Sequence, residues 1–90
     1  VVARTLELHQ HLDGVVTAAG VAGGGAGLDL APEEWDRIIS INLTGTFVTT
    51  KYALRAMLAG GRGGSVVTIA GTEGLEGTSG GSAYNASKGG

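Results

Sequence analysis

Cysteine is absent from the chain, which excludes disulfides and thiolate metal sites. Histidine is scarce: His9 and His11 have no cysteine or carboxylate cluster at ligand spacing around them, so no metal is expected, and both are read as the end of a solvated helix. Basic residues are few, six against eight acidic ones for a net charge of −2, and they are scattered. The electrostatic footprint of a nucleic-acid binder is therefore missing, and no nucleic-acid partner is expected. No apolar run approaches the ~18 residues that a membrane span needs, and no signal-peptide pattern opens the chain. The expectation is a cytoplasmic protein without a membrane partner. Ninety residues that begin with Val1 and stop at Gly90, where a helix is just starting, are expected to be a piece of a longer domain.

What is abundant is glycine, eighteen residues of ninety, against an average of about 7%. The glycines cluster at 20–27, 60–64, 71–81 and 89–90 and leave apolar segments between them. They punctuate the chain and mark its turns.

Residues 1–12, with Val2, Leu6, Leu8 and Leu12 among polar neighbours, predict an amphipathic helix. Gly14 to Ala19 is a short apolar run closed by Gly20, and Gly64 to Ala70 is a second, β-branched one. Runs of this kind suit strands buried on both faces of a parallel sheet. Between them, Pro32-Glu-Glu-Trp opens a long helix, with proline at its first position and two carboxylates where the helix dipole favours them. It is expected to run to Ala59, before Gly60-Gly61. Its β-branched stretch, Thr44 to Thr50, needs outside packing to stay helical. Residues 71–81 read as a loop, and Ser82 as the N-cap of a last helix. Helix, strand, helix, strand and helix start imply an α/β, doubly wound parallel sheet, with ligands bound beyond the carboxyl ends of its strands. Gly20, Gly71 and Tyr84 all fall on that edge. The glycine run at 20–27 could also be a phosphate loop, but it lacks the G-x-G-x-x-G spacing, and Leu28 to Ala31 separates it from the helix.

Tyr84 and Lys88 stand four positions apart, which puts them side by side on one helix face. Such a pair is often only a solvated surface. It also has a chemical use, because a free phenol titrates near pH ~10 and a neighbouring ammonium favours its ionised form.

Three upstream segments decide between these readings. Leu12-Asp-Gly-Val-Val-Thr-Ala-Ala-Gly20, Trp35-Asp-Arg-Ile-Ile-Ser-Ile-Asn-Leu-Thr-Gly-Thr-Phe47 and Gly64-Ser-Val-Val-Thr-Ile69 precede the Tyr84–Lys88 pair in a fixed order. With them the chain resembles the short-chain dehydrogenase/reductases from end to end. The resemblance implies that residues 1–90 are the central part of one NAD(P)-binding, Rossmann-like domain, with the phosphate loop and the substrate region outside it. It implies hydride transfer between NAD or NADP and an alcohol or ketone, in a homodimer or homotetramer. Tyr84 matches the family's proton-exchanging tyrosine. Lys88 matches the lysine that supports it and holds the nicotinamide ribose. Asn42 matches an asparagine that holds a water joined to that lysine, although a polar residue satisfied in the core would read the same way. Ala18, Ala19 and Gly20 match the cofactor-facing end of a strand.

Two positions depart from the family pattern. Thr17-Ala-Ala-Gly20 replaces its Asn-Asn-Ala-Gly; Thr17 is expected to bond across the sheet, whereas Ala18 has no polar group to offer. The family's substrate-holding serine, thirteen residues before the tyrosine, falls on Gly71. One preorganised donor is worth about 3 to 4 kcal/mol to a developing oxyanion in acyl-transfer enzymes. Either Thr72 stands in for the serine beside Gly71, with Ser82 a weaker candidate, or the protein is a non-catalytic relative that binds a nucleotide or a partner.

Overall fold

The computed structural model describes residues 1–90. Helix α1 (Val2–His9) leads to strand β1 (Gly14–Thr17), and a loop carries the chain to α2 (Pro32–Ile39). The backbone then passes without a break through a π-helical turn, Ser40–Thr44, into α3 (Gly45–Gly60). Strand β2 (Ser65–Thr68), a 3-10 turn (Thr72–Gly74) and α4 (Ser82–Gly89) complete the chain. The two strands are parallel, in register from Gly14 opposite Ser65 to Thr17 opposite Thr68. With the intervening helix they form one β-α-β unit, the repeating element of a doubly wound sheet.

The long helix starts and stops for local reasons. Pro32 takes the first position, Glu33 and Glu34 occupy the first turn, and Glu34 pairs with Arg37 at 2.7 Å. At the other end Gly61 adopts a left-handed φ of 70°, and its N–H returns to the carbonyls of Met57 and Leu58. That closure suits glycine, which lacks the Cβ that penalises this conformation. The β-branched stretch Thr44 to Thr50 stays helical, because α3 packs against β1. The irregularity falls one turn earlier, at the π turn.

Several expectations need correction. Both strands are shorter than expected and end at Thr17 and Thr68. They are not buried on both faces: all four residues of β2 are exposed, and in β1 only Thr17 is buried. Two strands with one covering helix cannot close both faces of a sheet. Ser82 does not cap α4; Gly81 takes that place, and its carbonyl accepts the Asn85 N–H at 2.7 Å. The 71–81 segment is not wholly irregular, since Thr72–Gly74 forms the 3-10 turn, packed against α4. As its spacing implied, the Gly20–Gly27 loop does not run into a helix; Gly25 instead pairs with Gly81 in an isolated parallel bridge, so the loop spans to the start of α4. No helix is long and apolar enough to cross a membrane.

Ile38, Ala53, Met57 and Ala83 are the buried apolar residues. They tie the long helix to α4 and to the strand edge. Thr17, Asn42 and Ser87 are buried with them.

Candidate active site

The π turn exists where the long helix passes the end of β1 and the start of α4. Asn42 lies inside it and is 5% exposed. Its amide is spent on distant partners. Nδ2 donates to the Val21 carbonyl at 2.9 Å and to Ser87 Oγ at 3.0 Å, while Oδ1 accepts the Val21 N–H at 2.8 Å. The two bonds to Val21 clamp the loop after β1 onto the helix as a strand partner would. Ser87 Oγ in turn donates to the Tyr84 carbonyl at 2.8 Å. Thr46 Oγ1 donates to the Asn42 carbonyl at 2.9 Å, which satisfies an acceptor in the turn where the α-helical ladder is interrupted. One hydrogen-bonded path therefore runs from Val21 through Asn42 and Ser87 to the backbone of Tyr84.

Ser87 was not among the sequence-derived candidates. Its signal was there: it lies three residues after Tyr84, and a small polar residue on the inward face of a short helix needs a partner.

Lys88 Nζ lies 5.9 Å from the centroid of the Tyr84 ring and donates to the Ile69 carbonyl, just beyond β2, at 3.1 Å. A lysine ammonium has three donors, so two remain after this bond. Lys88 takes part in none of the salt bridges of the chain, which join Arg4 to Glu7, His11 to Asp13 and Arg37 to Glu34. Its charge is thus free to act on whatever enters beside it. Gly20 opens that space. A Cβ placed on Gly20 would stand 3.4 Å from Asn42 Oδ1 and 3.7 Å from Lys88 Nζ.

Ala18 and Ala19 lie beyond β1 and line, with Val16, Thr17, Ile41 and Thr46, a cavity of about 160 Å³ between strand and helix. Thr17 turns its hydroxyl into the protein here and leaves Oγ1 buried without a hydrogen-bond partner. The expected bond across the sheet does not form. Side chains stand perpendicular to a sheet, whereas its donors and acceptors lie in its plane.

Gly71 is extended and faces α4; a Cβ there would lie 3.7 Å from Lys88 Cγ. Thr72 is exposed at the start of the 3-10 turn, and its Oγ1 donates to the carboxylate of Glu73 at 3.2 Å. The structure thus brings Gly20, Asn42, Tyr84 and Lys88 to one edge with Gly71 beside them, while the Thr72 hydroxyl is turned to its neighbour.

A model of the short chain dehydrogenases matches residues 1–90. The chain is 42% identical over 87 residues to an uncharacterized NAD-dependent oxidoreductase of Mycobacterium tuberculosis, covering 97% of this chain and 32% of the relative. It is 38% identical over 76 residues to the (3R)-3-hydroxyacyl-CoA dehydrogenase of Rattus norvegicus, covering 84% of this chain and 29% of that protein. Among solved structures, a variant of the actinorhodin polyketide ketoreductase with NADPH superposes with a TM-score of 0.90 at 43% identity, over 97% of this chain and 34% of that one. The chain spans about a third of the length of the curated relatives it matches. From the order of its motifs, its parallel β-α-β unit and these likenesses over nearly all its residues, the chain belongs to the short-chain dehydrogenase/reductase family.

Proposed function

We propose that residues 1–90 are the central part of the NAD(P)-binding domain of an oxidoreductase that interconverts an alcohol and a ketone, with Tyr84 as its general acid and base. The observation that carries this reading is Lys88: its ammonium is anchored on the Ile69 carbonyl, unpaired with any carboxylate, and held 5.9 Å from the Tyr84 ring. An ammonium so placed sets a positive charge beside the ring that is to exchange the proton.

The residues present fit a nicotinamide nucleotide. Gly20 leaves open the space faced by Lys88 Nζ and Asn42 Oδ1, and Lys88 keeps two donors for a ribose hydroxyl. Ala18 and Ala19, directly after β1, precede Gly20 in the chain and carry no polar side chain. When bound, the reduced form, NADH or NADPH, would supply the hydride for ketone reduction, and the oxidised form would accept it in the reverse direction. In reduction, the Tyr84 hydroxyl gives its proton to the substrate oxygen as the carbon gains the hydride, and the phenolate left behind recovers a proton from water. Asn42 gives one amide hydrogen to the Val21 carbonyl and the other to Ser87 Oγ, and its Oδ1, which accepts the Val21 N–H, keeps one lone pair for a water between itself and Lys88. Thr72 reaches the substrate oxygen only if its bond to Glu73 breaks. The parent protein is proposed to be cytoplasmic and a homodimer or homotetramer, with the open apolar face of α3 at Phe47 and Leu54 available for assembly.

Gly71 favours a second reading, a non-catalytic relative that binds the nucleotide or a partner protein, since no side chain stands where the serine is expected. Turnover decides between the two. The full-length protein is expected to reduce simple ketones with NADH or NADPH, and Tyr84→Phe is expected to lower kcat by about 10² or more through loss of the proton donor. Nucleotide binding without turnover in the wild type would instead establish the non-catalytic reading.

A further inference from the structure

The space beside Gly71 is not empty. A Cβ built on Gly71 would stand 3.2 Å from Glu73 Oε2, closer than ordinary van der Waals contact, and 3.7 Å from Lys88 Cγ. The carboxylate of Glu73 therefore occupies the start of the path that a side chain at position 71 would follow. Residue 71 is glycine and residue 73 is an acid that folds back across it. The turn that carries Glu73 is fixed: Gly74 packs so closely under the Lys88 carbonyl that a Cβ on Gly74 would collide with that backbone. Glu73 is half-buried, accepts the Thr72 hydroxyl at 3.2 Å and makes no salt bridge.

We infer that Glu73 is a specificity-determining residue, which takes the place left open at Gly71 and presents an unpaired carboxylate to the substrate beside the Tyr84–Lys88 pair. This rests on the oxidoreductase reading above and names its substrate class. A carboxylate is an acceptor without donors. It rewards a substrate with a hydrogen-bond donor next to the reacting carbon, an α-hydroxy ketone or the matching vicinal diol. It repels a substrate with its own carboxylate there, because like charges brought together in a site cost affinity. Thr72 donates to Oε2, the same oxygen that stands over Gly71, and that oxygen keeps a second lone pair for the substrate.

The experiment compares kcat/KM for acetoin, 2-butanone and acetoacetate in the full-length wild type, Glu73→Ala and Glu73→Gln, each with NADH and NADPH. The wild type is expected to favour acetoin over 2-butanone by about tenfold, the equivalent of one charge-assisted hydrogen bond. It is expected to disfavour acetoacetate by a similar factor. Glu73→Ala should bring all three to within about twofold of one another, since a side chain without charge or acceptor no longer discriminates. Glu73→Gln should restore acetoacetate while keeping part of the acetoin preference, because the amide retains an acceptor but not the charge. An active wild type whose acetoin and acetoacetate ratios are unchanged in both variants overturns this inference alone. Equal losses on all three substrates in both variants also overturn it, as they mark a structural role. A wild type that binds nucleotide but reduces no ketone overturns the oxidoreductase reading, and this inference with it.

Discussion

The turn around Asn42 and the edge where β1 meets β2 lie a few residues apart in space, yet they place polar and apolar groups in opposite ways. Asn42 and Ser87 are 5% and 4% exposed, while Val16, Val67 and Ile69 are 61%, 49% and 51% exposed. Ordinarily the aliphatic residues would be inside and the amide outside. The amide can be buried because each of its groups has a partner, which removes most of the cost of taking it from water. The sheet residues, in contrast, need only apolar cover, and a two-stranded sheet under one helix does not supply it on both faces. The comparison shows which part of these ninety residues is complete in itself. The polar junction is built entirely from groups within the chain, and it positions Tyr84 and Lys88; the sheet is a platform whose apolar faces are still open.

If the polar junction is the self-sufficient region, breaking it should cost most. Asn42→Ala removes three hydrogen bonds and strands the Val21 N–H and carbonyl. A loss of about 3 kcal/mol in unfolding free energy is expected for the full-length protein, because a buried group left unpaired forfeits more than a bond's net worth. Chemical denaturation measures it, and a loss near zero would mean that water replaces the amide easily and that the two regions are not distinct in kind.

The seam between sheet and helix should cost less to disturb. A Cβ on Gly64 would lie 2.8 Å from the Asp13 carbonyl and 2.6 Å from Met57 Sδ. The sulfur can swing away, whereas the backbone oxygen must shift and with it the start of the ladder. Gly64→Ala is expected to destabilise by about 2 kcal/mol through overpacking. A thermal melt that shows no change would mean that the sheet edge yields freely, which would widen the contrast with the junction.

The smallest effect belongs to the surface of α2, which lies in neither region. The hydrogen bonds and charge of Arg37 hold the Glu34 carboxyl below its ordinary pKa, and Glu34 raises that of Arg37. Since the folded-state pKa of Glu34 is depressed, its contribution to stability is present above the usual carboxylate range and is lost as pH falls through the lowered value. Glu34→Gln should therefore melt slightly below the wild type at neutral pH, and the two melting curves should converge well below pH ~4. A difference that persists in acid would assign the effect to packing instead of charge.

Much of the fold was legible from local pattern. Pro32 with its two following glutamates and Gly60-Gly61 mark the ends of the long helix to within a residue. The shared edge of Gly20, Gly71 and Tyr84 followed from strand and helix order. The bond partners at the site were not legible. Asn42 could be read as a core amide or as a site residue, and its partners lie 21 and 45 residues away in sequence. A single uninterrupted helix was expected from Pro32 to Ala59, and the π turn at Ser40–Thr44, where Asn42 faces Val21, had no local signal. Ser82 carries a good capping side chain, but Gly81, bridged to Gly25, takes the cap.

The sequence by itself determined the elements, their order and the placing of Tyr84 and Lys88 on one face, because helix and strand periodicity and glycine punctuation act over a few residues. Only the tertiary structure decided which groups those elements bring together: Val21 and Ser87 on Asn42, the Ile69 carbonyl on Lys88, and the Glu73 carboxylate over Gly71. The physical reason is that such contacts depend on how a loop returns to a helix surface, and the polar groups of a buried junction must all find partners at once. No local pattern encodes that simultaneous solution.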